Sequence, residues 1–122
     1  MVIGLGRFGG ALAMELVSRG TEVLGVDSQA RVVQSMATRL PHVVTADSTD
    51  LDALRQLGVP EFHRVVVAIG TDIQASILTA SLLAELEVPD IWAKAISREH
   101  GRILERVGVH HHGHGKVGGW VV

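Results

Sequence analysis

The stretch Val2-Ile3-Gly4-Leu5-Gly6-Arg7-Phe8-Gly9, followed by Glu22-Val23-Leu24-Gly25-Val26-Asp27, decides the fold. A short aliphatic run enters a glycine turn and a segment of helical period (Leu12, Leu16, Val17), and a second aliphatic run then ends on an acid. Gly4-Leu5-Gly6-Arg7-Phe8-Gly9 is a G-x-G-x-x-G set between strand and helix, the context its mechanism needs. Gly4 permits the tight turn, Gly6 lets backbone approach a pyrophosphate, and Gly9 lets the helix pack closely on the strand. The N–H groups that open the helix then face an anion. Asp27 lies 18 positions after Gly9, near the roughly 20-residue spacing of a ribose-binding acid. There it would accept from ribose hydroxyls and repel a 2′-phosphate; its alternative role is to cap the helix starting near Ser28. Arg7 suits a loop holding β- or γ-phosphates, the alternative being a solvated arginine.

Outward from this unit the pattern repeats. Further runs occur at His42–Ala46, Arg64–Ile69 and Asp90–Ala95, continuous and β-branched as in strands covered on both faces. Helical sets follow them: Val32, Val33, Met36 and Leu40; Leu51, Leu54 and Leu57; Ile103, Leu104 and Val107. Gly20 closes the first helix and Gly58-Val59-Pro60 the third. Alternating strands and helices predict an α/β, Rossmann-like doubly wound parallel sheet with helices on both faces. The segment from Ile73 to Glu87 is apolar around most of its circumference, which predicts burial on more than one side, by a partner subunit or by loops of the same domain.

Composition narrows the function. The chain has 122 residues, a net charge of −2 and no Cys, which excludes disulfides, thiolate metal sites and cysteine nucleophiles. Near-neutral charge offers no field for nucleic acid. No apolar run approaches the roughly 20 residues of a membrane span, and the first residues lack the basic start of a signal peptide. The expectation is a soluble, intracellular single domain. No G-x-x-x-x-G-K-[ST] occurs, so a P-loop ATPase is excluded. No nucleophile elbow, paired-carboxylate signature or S-x-x-x-K relay is present, and His42, His63 and His100 read as surface or capping side chains. The reading is of a protein that is not an enzyme.

The glycine loop and Asp27, with Val67-Ala68-Ile69-Gly70-Thr71-Asp72-Ile73-Gln74-Ala75-Ser76 and Ile91-Trp92-Ala93-Lys94-Ala95, resemble the N-terminal lobe of RCK (TrkA-N/KTN) domains. The resemblance covers roughly residues 2–109 in four motifs of matching order. It implies that Gly4, Gly6, Arg7, Phe8 and Gly9 lie along nucleotide phosphates, that Asp27 holds the ribose and that Ala46, Asp47 and Ser48 flank adenine. It also implies that Ile69, Gly70 and Gln74 line the ligand and that Lys94 approaches the phosphates. All these positions are strand ends or the turns after them, where doubly wound sheets bind ligands. Lys94 as a solvated lysine, and Asp47 to Asp50 as a turn and N-cap, remain alternatives.

What the family does follows from the same resemblance. It implies a homodimer within a larger ring at the cytosolic face of the membrane. That ring gates a potassium uptake channel or transporter according to bound ATP or ADP, with NAD(H) as the alternative ligand. An NAD(H)-dependent oxidoreductase and an NADH- or AMP-sensing lobe of a cation–proton antiporter are the rival functions. Residues 110–122, rich in His and Gly, depart from the family, whose crossover helix and C-terminal lobe are not matched. Their glycines argue against a helix, and the histidine run alone supplies no metal geometry. The first strand also reads two or three residues short, as if clipped.

Overall fold

A computed structural model describes residues 1–115 and Trp120; the remaining expected tail residues lie outside the described ones. The aliphatic runs form β1 (Val2–Ile3), β2 (Gly25–Asp27), β3 (Val43–Thr45), β4 (Arg64–Val67) and β5 (Asp90–Lys94), and β6 (His111–Gly113) follows. Between them lie α1 (Arg7–Ser18), α2 (Ala30–Met36), α3 (Leu51–Gln56), α4 (Ile73–Glu85) and α5 (Arg98–Val107). All strand pairs are parallel, in the order β3-β2-β1-β4-β5-β6. This is the Rossmann order, with two half-sheets wound in opposite senses from the centre.

The central strands β1, β2 and β4 are buried on both faces, which is why their runs do not alternate with polar residues. Ile3, Val65, Val67 and Ile91 pack with Leu54, Leu83 and Leu104 on the side of α3, α4 and α5. Val2, Val66 and Ala68 pack with Leu12, Ala13 and Met36 on the side of α1 and α2. Among the described residues no helix is long and apolar enough to cross a membrane.

One expectation is corrected and another is narrowed. The boundary at residue 109 falls short of the sheet, because Trp92, Ala93 and Lys94 pair with His111, His112 and Gly113. Trp120 is also buried, its ring 5.2 Å from Phe8 in an edge-on contact. Histidine and glycine hid this strand, which lacks a β-branched run. For α4, the alternative of cover by loops of the same domain is not met among the described residues. Ser76, Thr79, Ala80 and Leu83 are buried, whereas Leu78 on its outer side is 44% exposed. No described loop of this chain covers that side.

The chain leaves α4 through Glu87, at φ 60° in the left-handed region that disfavours side chains. Glu87 is exposed, so its replacement by glycine relieves the backbone without opening a cavity. Glu87→Gly is expected to stabilise the protein by about 0.5–1 kcal/mol after the added entropy of the unfolded chain is subtracted. Chemical denaturation followed by circular dichroism measures this, and an unchanged midpoint would contradict it.

Candidate functional site

The connection from β1 crosses to one side of the sheet and that from β4 to the other, leaving a crevice beyond their carboxyl ends. The crevice is a cleft of about 480 Å³, within the roughly 300–1,000 Å³ of ligand sites. Gly4, Gly6, Arg7, Phe8, Asp27, Ala46, Asp47, Ser48, Ile69, Gly70 and Lys94 all line it. Segments spread over most of the chain therefore meet because every one of them follows a strand end.

Its floor is the glycine loop. Gly4 has φ +96°, and a Cβ there would stand 2.9 Å from the Ala68 carbonyl carbon. A Cβ on Gly9 would overlap the Gly4 carbonyl, so only glycine lets α1 sit this close to β1. At Gly6 the Cβ position has no atom within 4 Å. Gly6 is also the N-cap of α1, and it supplies no side-chain acceptor to the first turn, which contains no acid. The opening N–H groups of α1 are thus left for an anion arriving in the cleft.

Asp27 holds this loop in place. Its Oδ2 accepts from Leu5 N–H at 2.8 Å and its Oδ1 from Gln29 N–H at 2.9 Å. The capping alternative takes a modified form, since α2 begins at Ala30 with Gln29 as N-cap and Asp27 makes the turn before it. Each carboxylate oxygen retains a lone pair for a further donor. Two cations line the same cleft, Arg7 and Lys94, and the Lys94 Nζ stands 4.7 Å from the Phe8 ring centroid. On the far side, Asp47 Oδ1 accepts from both the N–H and the hydroxyl of Thr49, which holds its carboxyl below the usual carboxylate range.

Gln74 is a correction: it does not line this cleft but an apolar groove on the outer side of α4. The Asp72 carboxylate caps α4 through Ala75 N–H, so Ala75 faces the cleft and Gln74 is rotated away from it. Gly9 is buried beneath the loop rather than exposed in the cleft. Ser28, Gln29, Val32, Thr49, Thr71 and Asp72 line it without having been singled out. The strand-end rule that found their neighbours applies equally to all but Val32, which lies in the first turn of α2.

His100 is a further correction. It is 2% exposed, not a surface group. Its Nδ1 accepts from Ile96 N–H, so the neutral ring carries its proton on Nε2, which donates to Ser76 Oγ. Its place four residues before Leu104 on the apolar stripe of α5 was the available signal. His42 and His63 are exposed as expected. The tail histidines have separate contacts: His110 Nδ1 accepts from Ile91 N–H, His111 lies 3.4 Å from Asp90, and His112 meets Glu105 at 2.6 Å.

The TrkA-N domain family matches residues 1–115. The chain belongs to this family. It is 48% identical over 107 residues to the Ktr system potassium uptake protein A of Bacillus subtilis, covering 88% of this TrkA-N chain and 48% of the relative. It is 44% identical over 110 residues to protein C of the same system, covering 90% and 50%. This TrkA-N chain therefore spans about half the length of these curated relatives. Among solved structures, the TrkA-N domain of inner membrane protein ybaL from Escherichia coli superposes with a TM-score of 0.83 at 13% identity, covering 93% of this chain and 84% of that one. The GsuK channel bound to NAD gives 0.81 at 18% identity, covering 91% and 20%. GsuK bound to ADP gives 0.76 at 18%, covering 91% and 29%. At these identities the structures establish the shared Rossmann-like fold.

Burial lowers the His100 pKa below 6.5, with smaller contributions from His112 and His114. The unfolded chain then binds the proton more tightly than the native protein. The stability His100 contributes is full above about 6.5 and is lost as pH falls towards its lower folded value. His100→Asn, whose Oδ1 can accept from Ile96 N–H, is expected to flatten the decline in thermal midpoint between pH 7.5 and 5.5. An equal decline in the variant would assign the pH dependence elsewhere.

Proposed function

We propose that this chain is the nucleotide-binding regulatory lobe of a potassium uptake system. The observation that carries the reading is the convergence, in one cleft, of the uncapped start of α1, Asp27, Arg7 and Lys94. An adenine nucleotide laid there places its phosphates over Gly6, Arg7 and Phe8. Its ribose meets Asp27, and its base lies towards Ala46, Asp47 and Ser48. These groups bind and orient, and they do not form a nucleophile–base pair, so the lobe senses its ligand rather than transforming it. Two cations favour the terminal phosphate of ATP and ADP, which carries more negative charge than the doubly esterified pyrophosphate of NAD(H). Asp27 disfavours a 2′-phosphate by charge. The Ktr names of the relatives support the potassium-uptake role, and the NAD- and ADP-bound neighbours support the ligand class.

The outer side of α4 extends this reading to assembly. Ile73, Ile77 and Leu78 form an apolar groove with Val107 of α5. A second copy covering it builds the homodimer of a ring, which docks on an integral membrane potassium channel or transporter from the cytoplasm. A ligand can bias such a ring only by binding its states with different affinity.

Calorimetric titration with ATP, ADP, NADH and NADPH tests the ligand. ATP and ADP are expected to bind and NADPH to fail, while Asp27→Ala weakens ADP roughly tenfold or more by removing the ribose acceptor and freeing two loop N–H groups. Binding of NADH alone would replace the energy-charge reading with a redox one. Sedimentation of Leu78→Asp tests assembly, and the variant is expected to shift towards monomer.

A further inference from the structure

The buried polar side chains among the described residues are Ser48, Ser76, Thr79 and His100, and they form two pairs. Each pair has one member on α4. Ser76 Oγ accepts from His100 Nε2 at 3.1 Å, which ties α4 to α5. Thr79 Oγ1 and Ser48 Oγ lie 2.8 Å apart, which ties α4 to the turn after β3. Ser48 lines the cleft, whereas Thr79 is 0% exposed and lies behind it.

The turn itself does not need the Ser48 hydroxyl. Asp47 already holds Thr49, and Asp50 caps α3 through Asp52 N–H. Nor does the core need a hydroxyl at position 79, beside Ala80 and one turn before Leu83, where an apolar residue avoids the cost of burying a polar group. The pair's remaining effect is mechanical. It fixes the base-side wall of the cleft to a helix whose first turn also lines the cleft through Asp72 and Ala75. The outer side of that helix carries the apolar groove.

Resting on the nucleotide reading above, we propose that Thr79 is a positioning residue for the nucleotide. Its hydroxyl, acting through Ser48, sets the Ala46–Ser48 wall and makes any displacement of that wall a displacement of α4. The nucleotide touches the wall and the start of α4 together, so its occupancy reaches the groove along one rigid element.

The test is titration of the full chain with ADP for wild type, Thr79→Val, Thr79→Ser, Ser48→Ala and the Ser48→Ala/Thr79→Val double variant. Loss of one hydrogen bond is expected to weaken ADP roughly three- to tenfold in Thr79→Val and in Ser48→Ala. Thr79→Ser is expected to stay within about twofold. The double variant should be no weaker than the weaker single, because both remove one shared interaction. Amide hydrogen exchange supplies a readout that a purely structural role would not move. ADP is expected to protect both the Gly4–Phe8 loop and Ala80–Glu85 in wild type, but only the loop in Thr79→Val. If wild type binds ADP and Thr79→Val binds it equally, with α4 protected as before, Thr79 merely packs the core and the proposal fails. If wild type binds no adenine nucleotide, the functional reading fails first. Should Thr79→Val not fold, Ser48→Ala is read in the same way.

Discussion

The contact of Gly9 with the Gly4 carbonyl sets the distance between β1 and α1, and the rest of the site inherits it. With no Cβ between them, the helix start comes down onto the strand end and its first N–H groups point along the crevice. Any side chain at Gly9 would lift α1 away, and the loop from Leu5 to Phe8 would lose its shape. Asp27 secures the same loop from the neighbouring strand by accepting the Leu5 N–H. Sterics place the helix, and one carboxylate then fixes the loop's orientation.

Polar groups are distributed sparingly in this fold. The two halves of the sheet are held by aliphatic packing on both faces. Hydrogen bonds between buried side chains occur where α4 meets the cleft wall and α5. Apolar packing tolerates small slips, because dispersion is weakly directional. A buried hydroxyl pair does not, since moving its partner leaves a polar group unsatisfied. Among the described residues, directional contacts therefore mark the helix that borders both the cleft and the exposed apolar groove.

Much of this was legible in the sequence. The β-branched runs at Val43–Thr45 and Arg64–Val67, the glycine spacing and Asp27 identify the strands, the turn and the cleft, because each reflects a local steric or hydrogen-bonding requirement. What was not legible depends on rotation or on distant pairing. Gln74 and Ala75 are adjacent, and only the position of the Asp72 cap decides which of them faces the cleft. His100 reads as a polar residue near a helix start until Ser76, from α4, arrives to complete the partner set that the local Ile96 N–H begins. His111–Gly113 has no strand signal of its own and becomes a strand because β5 offers an edge.

The central strand is also the first of the six in chain order. β1 is two residues long, and its neighbours are β2 and, across a long stretch of chain, β4. A nascent chain therefore carries an unpaired edge and an unshaped glycine loop until Val67 has been synthesised, and it lacks part of the cleft until Lys94 follows. Parallel pairings of this kind close slowly, because loop entropy is lost before contacts compensate it. A ligand for this cleft cannot template the early fold. It can only trap the finished sheet, which makes it a brake on unfolding rather than a guide to folding.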